Sequence, residues 1–81
     1  MDLVLLESLL AVAEHGTLTR AARAVAITQP ALTRRLQQLE DAMGAPLLQR
    51  SKRGAVLTEA GRLVAAEARQ IVERWRRLRE S

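Results

Sequence analysis

Residues 17–40, TLTRAARAVAITQPALTRRLQQLE, decide how this chain is read. They predict two short helices joined by a tight turn. Thr17 can cap the first of them, which runs from about Leu18 to Val25. Ala21, Ala22 and Val25 make its inward face, and their small side chains let a neighbouring helix approach closely. Thr28 is placed to cap the second helix. Pro30 falls in its first turn, where a missing N–H costs little. Leu32, Leu36, Leu39 and Met43 then repeat at spacings of four, three and four, one buried stripe. Gly44 and Pro46 stop the helix after about 15 residues, or ~22 Å.

The flanks extend the pattern in both directions. Upstream, Leu3, Leu6, Leu9, Leu10 and Ala13 recur at helical spacing, so Leu3–Glu14 reads as an amphipathic helix. Gly16 stands where a left-handed C-cap residue belongs. Downstream, Leu47–Arg50 and Ala55–Leu57 are short apolar runs around the polar tip Ser51-Lys52-Arg53-Gly54, which predicts a hairpin. Thr58 caps a long helix reaching to about Arg79. In it Ala60, Val64, Ala68, Ile71, Trp75 and Leu78 follow a coiled-coil-like spacing and are the expected dimer seam. The expected fold is mainly α: a winged helix-turn-helix of three helices and a β-hairpin wing over 1–57, then a linker helix over 58–81.

Composition agrees with this order. The apolar residues are nearly all Ala, Leu and Val, with Trp75 the one aromatic, a mix that favours helix packed on helix. An 81-residue chain buries a limited core, so a dimer partner is expected to add to it. With no cysteine, disulfides and thiolate metal sites are excluded. No apolar run approaches the roughly 18 residues of a membrane span. The start Met1-Asp2-Leu3 lacks the basic flank of a signal peptide. There is no phosphate-binding glycine loop, no paired carboxylate constellation and no HExxH spacing, so an enzyme reading has no residues to rest on. No cofactor is expected, and His15, near a helix end, reads as a solvated capping residue.

Charge gives the positive side of the argument. The net charge is +4, yet residues 15–58 alone carry +5 and the flanks −1. A basic centre on a helix-turn-helix is the electrostatic footprint of a nucleic-acid binder. The start of the third helix then meets base edges in a major groove. Gln29 can bond adenine N6 and N7 together, and Arg34 can pair with guanine O6 and N7. Pro30, Ala31 and the Thr33 methyl suit a thymine methyl. The Thr28 hydroxyl and the helix N-terminus suit a phosphate oxygen. Arg35 points about 100° from Arg34, toward a phosphate or solvent. Arg50, Lys52 and Arg53 at the wing are placed to reach the flanking minor groove. Arg74, Arg76, Arg77 and Arg79 read as a solvated outer face of the long helix, and Trp75 as a packing residue.

The runs Gly16-Thr17-Leu18-Thr19-Arg20-Ala21-Ala22, Thr28-Gln29-Pro30-Ala31-Leu32-Thr33-Arg34, Gly44-Ala45-Pro46-Leu47-Leu48 and Leu57-Thr58-Glu59-Ala60-Gly61 carry a resemblance. Over nearly its whole length the chain resembles the N-terminal DNA-binding domain of LysR-type transcriptional regulators. The resemblance implies a cytoplasmic, nucleoid-associated bacterial regulator. It implies a dimer through the linker helix, bound to an interrupted inverted repeat near a promoter. The implied contacts fall on Gln29, Pro30, Ala31, Thr33 and Arg34, with Arg50 and Arg53 in the wing. It implies no membrane partner, and a small-molecule effector bound only by a C-terminal domain absent from this chain. The family commonly has Phe or Tyr near positions 8, 9, 18 and 48, where this chain has Ser8, Leu9, Leu18 and Leu48. These are support positions, so a smaller, repacked core is expected. The alternative on the same fold is a protein-interaction module that uses the basic face on an acidic partner.

Overall fold

The computed structural model describes residues 3–51 and 54–81. Helices α1 (Leu3–His15), α2 (Leu18–Ala24) and α3 (Gln29–Met43) precede strands β1 (Leu48–Ser51) and β2 (Gly54–Leu57), and α4 (Glu59–Glu80) follows. The strands form an antiparallel hairpin in which Leu48 pairs with Leu57 and Ser51 with Gly54. This is the winged helix-turn-helix arrangement, extended by a 22-residue helix.

The helix boundaries follow from their caps. Thr17 accepts the Arg20 N–H at 3.1 Å, Thr28 the Ala31 N–H at 3.3 Å, and Thr58 the Gly61 N–H at 2.9 Å. At the other ends, Gly16 and Gly44 both take positive φ, 80° and 72°. The turn between α2 and α3 closes differently. Ile27 N–H bonds Ala22 O at 3.0 Å and Ala26 N–H bonds Arg23 O at 3.1 Å, the paired bonds of a Schellman motif. Its left-handed residue is Ala26, at φ 59°, where glycine is the usual occupant. Ile27, half-buried beside the core, provides the apolar contact that accompanies such a cap.

Leu6, Leu9 and Val12 of α1, Ala21 and Ala22 of α2, and Leu32, Leu36 and Leu39 of α3 form the core, closed by Leu47 and Ala55. Ser8 is also buried, and its hydroxyl donates to the Val4 carbonyl at 2.8 Å. Two expectations change. Ala13, assigned to the inner stripe of the first helix, is exposed; Ala11 and Val12 turn inward instead. Ala68, assigned to the dimer seam, is 1% exposed and packs into the chain's own core with Gly61, Ala65 and Val72. Its angular position lies at the edge of the seam nearest Ala65 and Val72, and its small side chain lets α1 approach α4. Ala60 and Val64 are half-buried, while Ile71, Trp75 and Leu78 are exposed.

The segment after α3 is fixed at three points. Glu40 Oε2 accepts the N–H groups of Leu47 and Leu48 at 2.7 and 3.3 Å. The Thr58 hydroxyl donates to Pro46 O at 2.8 Å, and the Thr58 N–H to Leu47 O at 3.0 Å. Gly61 lies directly under the Leu47 peptide; a Cβ there would overlap the Leu47 carbonyl oxygen.

Two substitutions test this account by thermal or urea unfolding. Ala26→Gly relieves the left-handed alanine and is expected to stabilise the chain by about 0.5–1 kcal/mol, despite the freer unfolded state. Gly61→Ala forces backbone from backbone and is expected to destabilise it by about 2–3 kcal/mol. An unchanged midpoint for Gly61→Ala would mean that α4 does not dock on Leu47 as described.

Candidate nucleic-acid interface

The site is built by α3 presenting opposite edges to two environments. Leu32, Leu36 and Leu39 face the core and are at most 4% exposed. On the outer side Gln29, Pro30, Thr33, Arg34 and Gln37 line one open surface. Positions 29, 33 and 37 are successive i,i+4 neighbours, with 30 and 34 alongside, so they make a single stripe along the helix. The stripe begins at the N-terminus, where Thr28, Gln29 and Pro30 are all exposed. Thr28 uses its oxygen as acceptor for the cap, so its O–H hydrogen can still be given to an anion. The first-turn N–H groups add a partial positive charge there.

A second cleft runs between α3 and the wing. Leu18, Thr33, Leu36, Gln37, Glu40, Leu48, Arg50 and Ala55 line it. Thr33 and Gln37 border both surfaces, which joins the α3 stripe to exposed Arg50 on β1. The structure therefore brings Thr28, Gln29, Pro30, Thr33, Arg34 and Arg50 to one side of the molecule. Ala31 is half-buried. Arg35 is also half-buried and lies outside the residues lining the stripe. Lys52 and Arg53 lie outside the described residues.

Gln37 is a member of this surface that the sequence pattern does not single out. Its Nε2 donates to Asp41 Oδ1 at 3.3 Å, one turn further along. Counting four residues on from Thr33 finds it. Thr19 is a second such residue: its hydroxyl donates to Gln29 Oε1 at 3.0 Å, linking α2 to the start of α3. An α2 threonine in an apolar-patterned segment gives no sign of that contact, because it depends on how the two helices cross.

The other candidate groups lie elsewhere. His15 is exposed at the end of α1. Arg76 makes a long 3.8 Å ion pair with Glu7 on the surface, a contact that contributes little. Trp75 borders a shallow apolar groove with Leu3, Leu6, Ile71, Arg74 and Leu78. Among the described residues, no group of three or more His, Cys, Asp or Glu side chains is placed to hold a metal ion. No helix among them is long and apolar enough to cross a membrane.

Known proteins resemble this chain in sequence and in fold. Residues 3–62 match the family model of the bacterial regulatory helix-turn-helix proteins of the lysR family. The SDS degradation transcriptional activation protein of a Pseudomonas species is 46% identical over 80 residues, covering 99% of this chain and 26% of that protein. The dual regulator OxyR of Escherichia coli is 39% identical over 75 residues, 93% of this chain and 25% of its own length. The chain thus spans about a quarter of the curated relatives it matches. Among solved structures, a CbnR DNA-binding domain in complex with DNA superposes with a TM-score of 0.92 at 40% identity, covering 99% of this chain and 92% of that one. A BenM DNA-binding domain bound to a catB site superposes at 0.93 with 31% identity, covering 99% and 90%. These relatives are transcriptional regulators rather than enzymes, and the chain belongs to the lysR family of bacterial regulatory helix-turn-helix proteins as one of its DNA-binding domains.

Proposed function

We propose that this domain reads double-stranded DNA by laying the exposed edge of α3 in a major groove, as one half of a homodimer on an interrupted inverted repeat near a promoter. The observation that carries the reading is the single outward stripe of Gln29, Pro30, Thr33 and Arg34, beginning at the capped N-terminus of α3. Gln29 pairs with adenine, and Arg34 with guanine. Pro30, Ala31 and the Thr33 methyl meet thymine methyl groups. The Thr28 hydroxyl and the Gln29 N–H, at the positive end of α3, hold a phosphate, which sets the register of the helix on the duplex. Arg50, with Lys52 and Arg53 following it in the chain, supplies charge toward the adjacent minor groove. Arg35 is assigned a phosphate at the edge of the footprint. Two relatives whose own chains are covered to 92% and 90% are DNA complexes, which supports the reading.

Dimerisation rests on α4. Ile71, Trp75 and Leu78 are 47%, 43% and 67% exposed and line one apolar groove, and with Ala60 and Val64 they are assigned to the seam. Ala68, buried within the chain, is not part of it. On an inverted repeat, the two α3 helices of such a dimer are expected to enter major grooves one DNA turn, ~34 Å, or a multiple of it apart. The relatives are about four times the length of this chain, and we infer by analogy with them a regulator of the bacterial cytoplasm in which a small-molecule effector acts outside the DNA-binding domain.

The base-reading part is tested with Gln29→Ala. It is expected to weaken binding to a selected site by ~1–3 kcal/mol and to relax the preference at one base pair per half-site. Equal weakening on selected and random DNA would overturn base reading by Gln29. The dimer is tested with the double change Ile71→Glu and Leu78→Glu. Sedimentation equilibrium is expected to show a monomer whose affinity for the full repeat falls to that for a half-site. A persistent dimer would remove the seam.

A further inference from the structure

Gln29 carries a long side chain with two chemically different ends, a carbonyl acceptor and an amino donor. A glutamine free to rotate at the start of a reading helix can offer either end to a groove. In this chain the choice is made inside the protein. Thr19, on the second residue of α2, donates its hydroxyl hydrogen to Gln29 Oε1 at 3.0 Å. Both residues are exposed, so the bond crosses from the bracing helix to the reading helix on the outer surface. It occupies one lone pair of Oε1 and leaves both hydrogens of Nε2 unclaimed by Thr19.

Resting on the reading of Gln29 as a base contact, we propose that Thr19 is a specificity-determining positioning residue, which turns the Nε2 donor of Gln29 outward and so favours a purine N7 over the amino edge of cytosine at that position. Adenine suits the arrangement best. Its N7 accepts from Nε2, and its N6 amino group donates to the remaining lone pair of Oε1. Cytosine offers only its N4 donor, which the remaining lone pair of Oε1 can meet, but it leaves the outward Nε2 hydrogens without an acceptor. The bond also restricts a side chain whose rotamer freedom would otherwise be lost on binding. Thr19 acts through Gln29 and need not touch DNA itself.

The experiment compares Thr19→Val, which keeps the shape and removes the hydroxyl, with Thr19→Ser, which keeps the hydroxyl. Sites are selected from random DNA with this 81-residue chain, and affinities are then measured on singly substituted sites and across salt. Thr19→Val is expected to reduce discrimination by about threefold to tenfold at the one base pair that Gln29→Ala relaxes. Other positions and the salt slope stay as in the parent, Thr19→Ser retains the preference, and Thr19→Val adds nothing once Gln29 is alanine. A uniform loss at all positions with a changed salt slope would overturn the proposal in favour of a phosphate contact. Full discrimination in Thr19→Val, where Gln29→Ala is relaxed, would overturn it while leaving Gln29 as a reader. If Gln29→Ala relaxes no position, both readings fall.

Discussion

One peptide segment, the link from Pro46 to Leu48, holds the two working parts of this molecule in a fixed relation. Glu40 near the end of α3 grips it from one side through two N–H groups. Thr58 and Gly61 at the start of α4 grip it from the other, by hydrogen bonds and by direct backbone contact. A carboxylate that accepts two backbone N–H groups, one at 2.7 Å, is a stronger anchor than a neutral contact. Leu47, 1% exposed, is pressed into the core at the same place. Burying a leucine side chain is worth about 1.5–3 kcal/mol, so the polar clasp and the apolar plug act together. The wing and the long helix are both positioned from this point.

The reading surface shows the same double use of parts. α3 needs one edge apolar to stay on the core and the other edge polar to meet a partner, and its 15 residues divide accordingly. Thr28 belongs to both purposes, since it starts the helix and sits where an anion would approach. The wing is joined to this edge through Thr33 and Gln37, which border both the open stripe and the cleft beside Arg50.

Much of this is legible in the amino-acid order. Threonine caps at 17, 28 and 58, the 4-3-4 apolar stripe of α3 and the glycine at 44 are local signals, and local signals give element boundaries. The outward face of α3 follows from the inward one. What the residue pattern does not reveal depends on contacts between elements. Ala26 adopts a conformation that normally announces itself as glycine, so the Schellman turn carries no mark. Glu40 reads as one surface acid among several until the chain folds back over it. Ala68 fits the spacing of two faces of α4 at once, and only the approach of α1 assigns it to the core. Thr19 and Gln29 are ten residues apart, and their contact is a product of the helix crossing.

The close contact at Gly61 also gives α4 a mechanical character. The helix is 22 residues long, about 33 Å, and its first turns are clamped to the body of the domain while its last two turns stand largely in solvent. Beyond that clamp, Ala65, Ala68 and Val72 continue its packing on α1, so the body of the domain and the turns of α4 up to Val72 form one unit. Whatever grips the exposed turns after Val72 therefore moves α3 by carrying the whole domain with it, with no side chain of the core needing to change its conformation.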